Sequence, residues 1–90
     1  MSITVKLHPY FQEITGTGEI ISAEGNTVLE VIEDLEKNYP GMKEQLLDRH
    51  GRIQGFAEMF VNDEIVHPTG TDMPVKDGDE IEILIVISGG

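Results

Sequence analysis

The sequence predicts an α+β fold in which one mixed β-sheet packs against a main helix. Apolar and polar residues alternate over residues 3–8, and an apolar run fills residues 83–87; both patterns are typical of strands. Between them, residues 28–39 repeat apolar side chains at helical spacing. Ninety residues suffice for one core. We therefore expect a single domain over residues 1–90, with a flexible C-terminal tail at about residues 87–90.

The opening of the chain is predicted to form two strands. Residues 3–8 give the first, and Pro9 ends it because proline cannot donate to a strand ladder. Gly16-Thr17-Gly18 is a turn signal, and Glu19–Ala23 follows as a second short strand. We expect a β-hairpin with a long loop.

The main helix has the clearest start and end. Thr27 and Glu30 match a capping box, in which the threonine oxygen accepts from a free backbone N–H and the glutamate reaches back. Pro40-Gly41 stops the helix. Met42–Asp48 is predicted to form a second short helix. The apolar stripe of the main helix consists of Val28, Val31, Ile32, Leu35 and Tyr39.

Three further strands complete the predicted sheet. Phe56–Val61 is followed by a tight turn and a short strand at Ile65-Val66, and Glu80–Ile87 is the last strand. The first and last strands are the most apolar, which favours adjacent central positions. About five strands in a mixed sheet, with the main helix across one face and a second short helix, give a β-grasp arrangement.

The charge balance restricts the partners. Seventeen acidic and six basic residues give a formal charge of −11, which repels nucleic acid and anionic membrane surfaces. Such a surface favours a partner with a basic docking face. A solvated acidic surface that aids solubility is an equally open interpretation.

The chain offers no self-contained catalytic site. It has no cysteine, and its three histidines show no ligand spacing, so we expect no metal site. No apolar run approaches the ~20 residues of a membrane span, and no secretory signal is present, so a cytoplasmic protein is expected. We expect a carrier or subunit, not an enzyme.

The terminal Gly89-Gly90 pair follows directly on the last strand and Ser88. Glycine lacks Cβ and enters narrow slots. From Val86 to Gly90 the chain spans at most about 17 Å, enough to reach a partner's pocket. A carboxylate at Gly90 is inert until it is converted to a mixed anhydride, most simply an acyl adenylate made from ATP. Either sulfide or an amine then displaces AMP.

A partner-binding patch is expected on the outward face of the sheet. Leu84 and Val86 are apolar there, and Phe60 joins them if the third strand pairs with the last. Coverage of these residues by the loop at Gly51–Gly55 is the alternative.

These features resemble the ubiquitin-like sulfur carriers of the MoaD/ThiS family, which holds the molybdopterin synthase small subunit and the thiamine sulfur carrier. The resemblance spans nearly the whole chain and rests on Val61–Glu64, Asp77–Glu80 and Gly89-Gly90. Residues 34–41, with Leu46–Asp48 and the loop to Phe56, are similar to the branch of the mycobacterial cysteine-biosynthesis carrier.

The resemblance implies that an E1-like adenylyltransferase uses ATP to adenylate Gly90, which a sulfur donor converts to a thiocarboxylate. The acceptor would be a PLP-dependent cysteine synthase homologue, followed by a zinc peptidase, or a molybdopterin synthase large subunit. No permanently bound cofactor is implied. Two alternatives remain: a protein modifier joined through Gly90 to lysines, and a non-catalytic β-grasp binding module.

Overall fold

The structure, a computed structural model, describes residues 2–86. Within this range the chain forms three helices and five strands. In chain order they are β1 Ser2–Leu7, α1 Pro9–Thr15, β2 Ile20–Glu24, α2 Val28–Asn38, α3 Met42–Leu46, β3 Ala57–Val61, β4 Glu64–Ile65 and β5 Glu80–Ile85. The predicted five-strand mixed sheet and β-grasp arrangement are confirmed.

The two most apolar strands lie at the centre of the sheet, as predicted. The strand order is β2-β1-β5-β3-β4, and β1 pairs with β5 in parallel. All other strand pairs of the described sheet are antiparallel. Val5 stands opposite Ile81, and Met59 stands opposite Ile83. Strand β5 is therefore held by a neighbour on each side.

The helices cover one face of the sheet and build the core with it. Thr27 caps α2 by accepting from Glu30 N at 3.1 Å, while Glu30 Oε1 accepts from Asn26 N at 2.9 Å. The cap fixes the start of the helix, so that its apolar stripe faces the sheet. The core shared by α2 and the central strands includes Val28, Val31, Ile32, Leu35, Ile3, Val5, Ile81 and Ile83.

One prediction is wrong: the segment after Pro9 is a helix, not a loop. Pro9 occupies the first turn, where a missing N–H costs nothing. His8 is the N-cap, and its Nδ1 accepts from Tyr10 N at 3.1 Å. Phe11 is fully buried, and Gly16 closes the helix at φ 70°. Burial of one aromatic ring and two caps outweighs the short length of α1.

The turn between β3 and β4 contains two residues with positive φ, Asn62 at 48° and Asp63 at 70°. Such a two-residue turn matches the twist of the flanking strands. It sets the register in which Phe60 stands opposite Ile65.

Across residues 2–86, no helix combines the length and apolar character that spanning a bilayer requires.

Candidate functional site

The predicted attachment site Gly90, and the tail residues Ser88 and Gly89, lie outside the described residues. The structure describes the strand that leads to them. Near the C-terminal end of β5, Ile83 O accepts from His8 N at 3.0 Å, and Val86 N donates to Phe56 O at 2.8 Å. The backbone is thus hydrogen-bonded up to Val86, the last described residue.

The three residues predicted to form a partner-binding patch lie on or beside the two paired strands β3 and β5. Phe60 and Leu84 are half-buried, and Val86 is 38% exposed. Leu84 stands opposite Glu58, two residues from Phe60 on the same face. Whether a partner binds these residues remains a prediction.

Sequence reasoning missed Ile65, which is 54% exposed. It stands opposite Phe60, so both side chains point to the same face. Ile65 and Val86 also line one cavity of about 210 Å³, together with Ile53 and Pro68. The short Asn62-Asp63 turn was the available signal, because a two-residue turn fixes which residues face each other.

Sequence reasoning also missed two exposed aromatic residues beside the end of β5, Tyr10 and Phe56. Their ring centroids are 6.3 Å apart at 70°. Tyr10 is 45% exposed and Phe56 is 38% exposed. Tyr10 OH donates to Gln45 Oε1 of α3 at 2.7 Å, which holds its ring in place. We call Tyr10 and Phe56 the aromatic pair.

The opposite end of β5 is held by polar contacts. Asp79 is largely buried and accepts from Asn62 Nδ2 and from Lys76 N, each at 2.9 Å. The hydrogen bond from Asn62, followed by that from the Lys76 backbone, lowers the pKa of Asp79 below the usual aspartate range. Glu80 N donates to Asn62 Oδ1 at 2.9 Å. This network joins the β3–β4 turn to the start of β5.

The exposed large apolar and aromatic side chains in this region are those of Val86, Ile65 and Phe56, and an exposed apolar patch is typical of an interaction surface. Gln54 and Glu58 also line the cavity beside Val86. Among residues 2–86, no group of three His, Asp or Glu side chains lies close enough to hold a metal ion.

A mixed sheet with a parallel central strand pair and helices on one face is the architecture of the ubiquitin-like β-grasp proteins. A model of the ThiS family matches residues 5–90, and the chain belongs to this family of ubiquitin-like sulfur carriers. The sulfur carrier protein CysO of Mycobacterium tuberculosis is 38% identical over 93 aligned residues that cover all of both chains, and CysO of Mycobacterium bovis matches equally. The chain is thus a CysO homologue, and a carrier rather than an enzyme.

The solved structures agree with this assignment. A chain of the Amycolatopsis orientalis BexX/CysO complex is 36% identical, with a TM-score of 0.88 and coverage of 98% of this chain and 99% of that chain. Mycobacterium tuberculosis CysO is 36% identical, with a TM-score of 0.87 and coverage of 94% and 99%. Small archaeal modifier protein 1 of Methanosarcina acetivorans is 28% identical, with a TM-score of 0.81 and coverage of 99% and 96%. The expected resemblance to the cysteine-biosynthesis branch is confirmed.

Proposed function

We propose that this chain carries sulfur for cysteine biosynthesis as a thiocarboxylate on Gly90. The observation that supports this most strongly is the 38% identity to CysO over the full length of both chains. The Gly89-Gly90 pair supplies the unhindered carboxylate that the chemistry needs.

The proposed loading has two steps. A Gly90 carboxylate oxygen attacks the α-phosphorus of ATP, and pyrophosphate leaves, so that an acyl adenylate forms on an E1-like adenylyltransferase. Sulfide then attacks the carbonyl carbon, and AMP leaves. The product is a thiocarboxylate whose sulfur is nucleophilic. No redox change occurs when sulfur enters at the level of sulfide. Because ATP is consumed, we place the reaction in the cytoplasm.

The carrier's own contribution is positioning. Strand β5 is paired on both sides, and its hydrogen bonds continue to Val86 N. From Val86 the chain reaches at most about 17 Å to Gly90. An enzyme that holds Gly90 in its pocket therefore approaches Val86 and its neighbours closely. Phe60, Leu84 and Val86, extended by Ile65, are the proposed contact patch.

For the acceptor, we propose a PLP-dependent cysteine synthase homologue on which the thiocarboxylate sulfur replaces the leaving group on the β-carbon of an activated serine derivative, giving a thioester to Gly90. The cysteine amine then attacks the thioester carbonyl and the sulfur leaves as a thiol, so that an amide forms. A zinc peptidase hydrolyses this amide and releases cysteine and the Gly90 carboxylate. The identity to CysO favours this acceptor over a molybdopterin synthase large subunit, which is the alternative within the same family.

The direct test offers the loaded carrier to each acceptor. Purified thiocarboxylated protein is incubated separately with the cysteine synthase homologue plus an activated serine derivative, and with the molybdopterin synthase large subunit plus its pterin precursor. By intact mass, we expect a cysteinyl adduct on Gly90 with the first enzyme and an unchanged thiocarboxylate with the second. Sulfur transfer only in the presence of the large subunit would assign the carrier to the pterin pathway.

A second candidate function is conjugation to lysines of target proteins through Gly90. It is favoured by the 28% identity and the TM-score of 0.81 to the Methanosarcina acetivorans modifier protein. If a lysine amine instead of sulfide attacks the carbonyl carbon of the same acyl adenylate, AMP leaves and an isopeptide bond forms. Gly-Gly remnants on target lysines after digestion of cell extracts would support it, and sulfur loading without such remnants would reject it.

A further inference from the structure

The aromatic pair combines exposure with a fixed geometry. Tyr10 packs edge-on against buried Phe11 at 5.2 Å between ring centroids and is hydrogen-bonded to Gln45. The backbone carbonyl of Phe56 accepts a hydrogen bond from Val86 N. The Phe56 residue is therefore fixed directly beside Val86. Rings that are already ordered lose little freedom on binding.

Any enzyme that acts on Gly90 comes close to this pair. The chain from Val86 to Gly90 extends at most about 17 Å, and Val86 is hydrogen-bonded to Phe56 itself. A catalytic pocket that receives Gly90 therefore brings its rim to the surface around Val86, where Tyr10 and Phe56 are exposed.

Acidic residues lie close to both rings along the chain. Glu13 lies three residues after Tyr10 on α1, Glu44 adjoins Gln45 on α3, and Glu58 lies two residues after Phe56. Lys43, the basic residue of α3, forms an ion pair with Glu33 at 3.7 Å. The charge of −11 of the whole chain, together with these carboxylates, favours a cationic partner.

We propose that Tyr10 and Phe56 receive an arginine side chain of the adenylyltransferase that activates Gly90. A guanidinium stacks on aromatic faces and is attracted by their negative π-clouds. The acidic neighbours strengthen this attraction, and lysine is a poorer match because its ammonium is compact and strongly hydrated. The inference rests on the proposed function, since it names the partner that first engages Gly90.

The test replaces the rings with leucine, which keeps apolar bulk but removes the π-face. The double variant Tyr10→Leu with Phe56→Leu is compared with wild type in carrier-dependent pyrophosphate release by the cognate adenylyltransferase. We expect KM for the carrier to rise about 3- to 30-fold, with kcat unchanged. Tyr10→Phe keeps the π-face but loses the hydrogen bond to Gln45, so its rise in KM should be smaller than that of Tyr10→Leu.

Ile20→Leu is the matched control, because Ile20 is a 55% exposed apolar residue on β2, at the far edge of the sheet. Its KM should equal that of wild type. Binding stoichiometry from calorimetry reports the folded fraction of each variant, so that partial unfolding is not mistaken for a rise in KM.

The outcomes separate the two proposals. An unchanged KM in the leucine double variant would overturn the arginine assignment. If KM rises only when both residues are replaced by alanine, the rings provide apolar contact and not a π-face, which would also overturn it. If an active adenylyltransferase releases no pyrophosphate in the presence of the wild-type chain, the proposed function itself is contradicted.

Discussion

The two ends of β5 are built from opposite chemistry. At its start, Asp79 and Asn62 form polar contacts that satisfy each other and join two turns. At its end, one backbone bond from Val86 to Phe56 is surrounded by side chains that remain exposed. The polar groups at the first end bind one another, whereas the second end exposes apolar side chains to solvent.

This difference indicates how one strand serves both stability and function. A strand that is fixed at one end and central in the sheet carries its other end on a rigid support. A partner that binds the exposed end would keep Gly90 within about 17 Å of it, which is the entropic advantage of positioning. We expect changes at the first end to affect unfolding and changes at the second to affect activation.

The largest effect is expected from deletion of Gly90. The reacting carboxylate would then belong to Gly89 and fall one residue short of the enzyme's catalytic groups, so carrier-dependent pyrophosphate release should be lost. The thermal melt should not change, because the deleted residue follows the core strands. Ser88→Ala, in the same tail, is the control and should retain activation. Full activity of the deletion variant would favour a plain binding module.

A tenfold effect is expected at the exposed sheet face. Phe60→Ser combined with Ile65→Ser removes two apolar side chains that stand opposite each other. KM for the carrier in the activation assay should rise about tenfold, as for a typical interface anchor. Ile20→Ser, at the far edge, is the control. Unchanged KM in the double variant would exclude this face from the interface.

The polar end should respond in stability and in its pH dependence. Asp79→Asn places an amide where Asp79 accepts from Asn62 and from Lys76 N, so the melting temperature should fall at about pH 7. Because folding lowers the pKa of Asp79, the stability that it contributes is present above the pKa of an unfolded aspartate, near pH 4, and is lost as the pH falls through the folded-state pKa.

The difference in melting temperature between wild type and Asp79→Asn should therefore shrink at about pH 3. Activation at neutral pH should keep its kcat, since Asp79 lies at the end of β5 away from Val86. A pH-independent difference would mean that the carboxylate charge contributes nothing.

The smallest effect is expected in the turn before β5. Gly78 has φ 89°, a conformation that strains residues with a Cβ, although a Cβ there meets no neighbour within 4 Å. Gly78→Ala should cost about 1–2 kcal/mol in the free energy of unfolding. Gly18→Ala, also without neighbours within 4 Å and without a positive φ in the strained range, should cost less. Equal losses would show that backbone strain is not the cause.

Much of the fold follows from local patterns in the sequence. The alternation of residues 3–8 and the isoleucines of β5 identified the central strands, because burial on one face imposes a period of two. The cap at Thr27 identified the start of α2. Helix α1 was missed because its seven residues give too short a periodic pattern, and because Gly16 closes a helix where a hairpin turn was expected.

The candidate site was only partly predictable. Leu84 and Val86 follow from the alternation of β5, but Ile65 required the register set by Asn62-Asp63. The aromatic pair joins α1 to the residue before β3, and no local pattern encodes a contact between positions so far apart in sequence. Such contacts arise from the tertiary fold alone.

The most direct test of the central claim is the intact mass of the protein after incubation with its adenylyltransferase, ATP and sulfide. We predict exchange of one oxygen for sulfur, and fragmentation should place that sulfur on Gly90. An unchanged mass with a demonstrably active enzyme, or sulfur at any other residue, would contradict the proposal that Gly90 carries the chemistry.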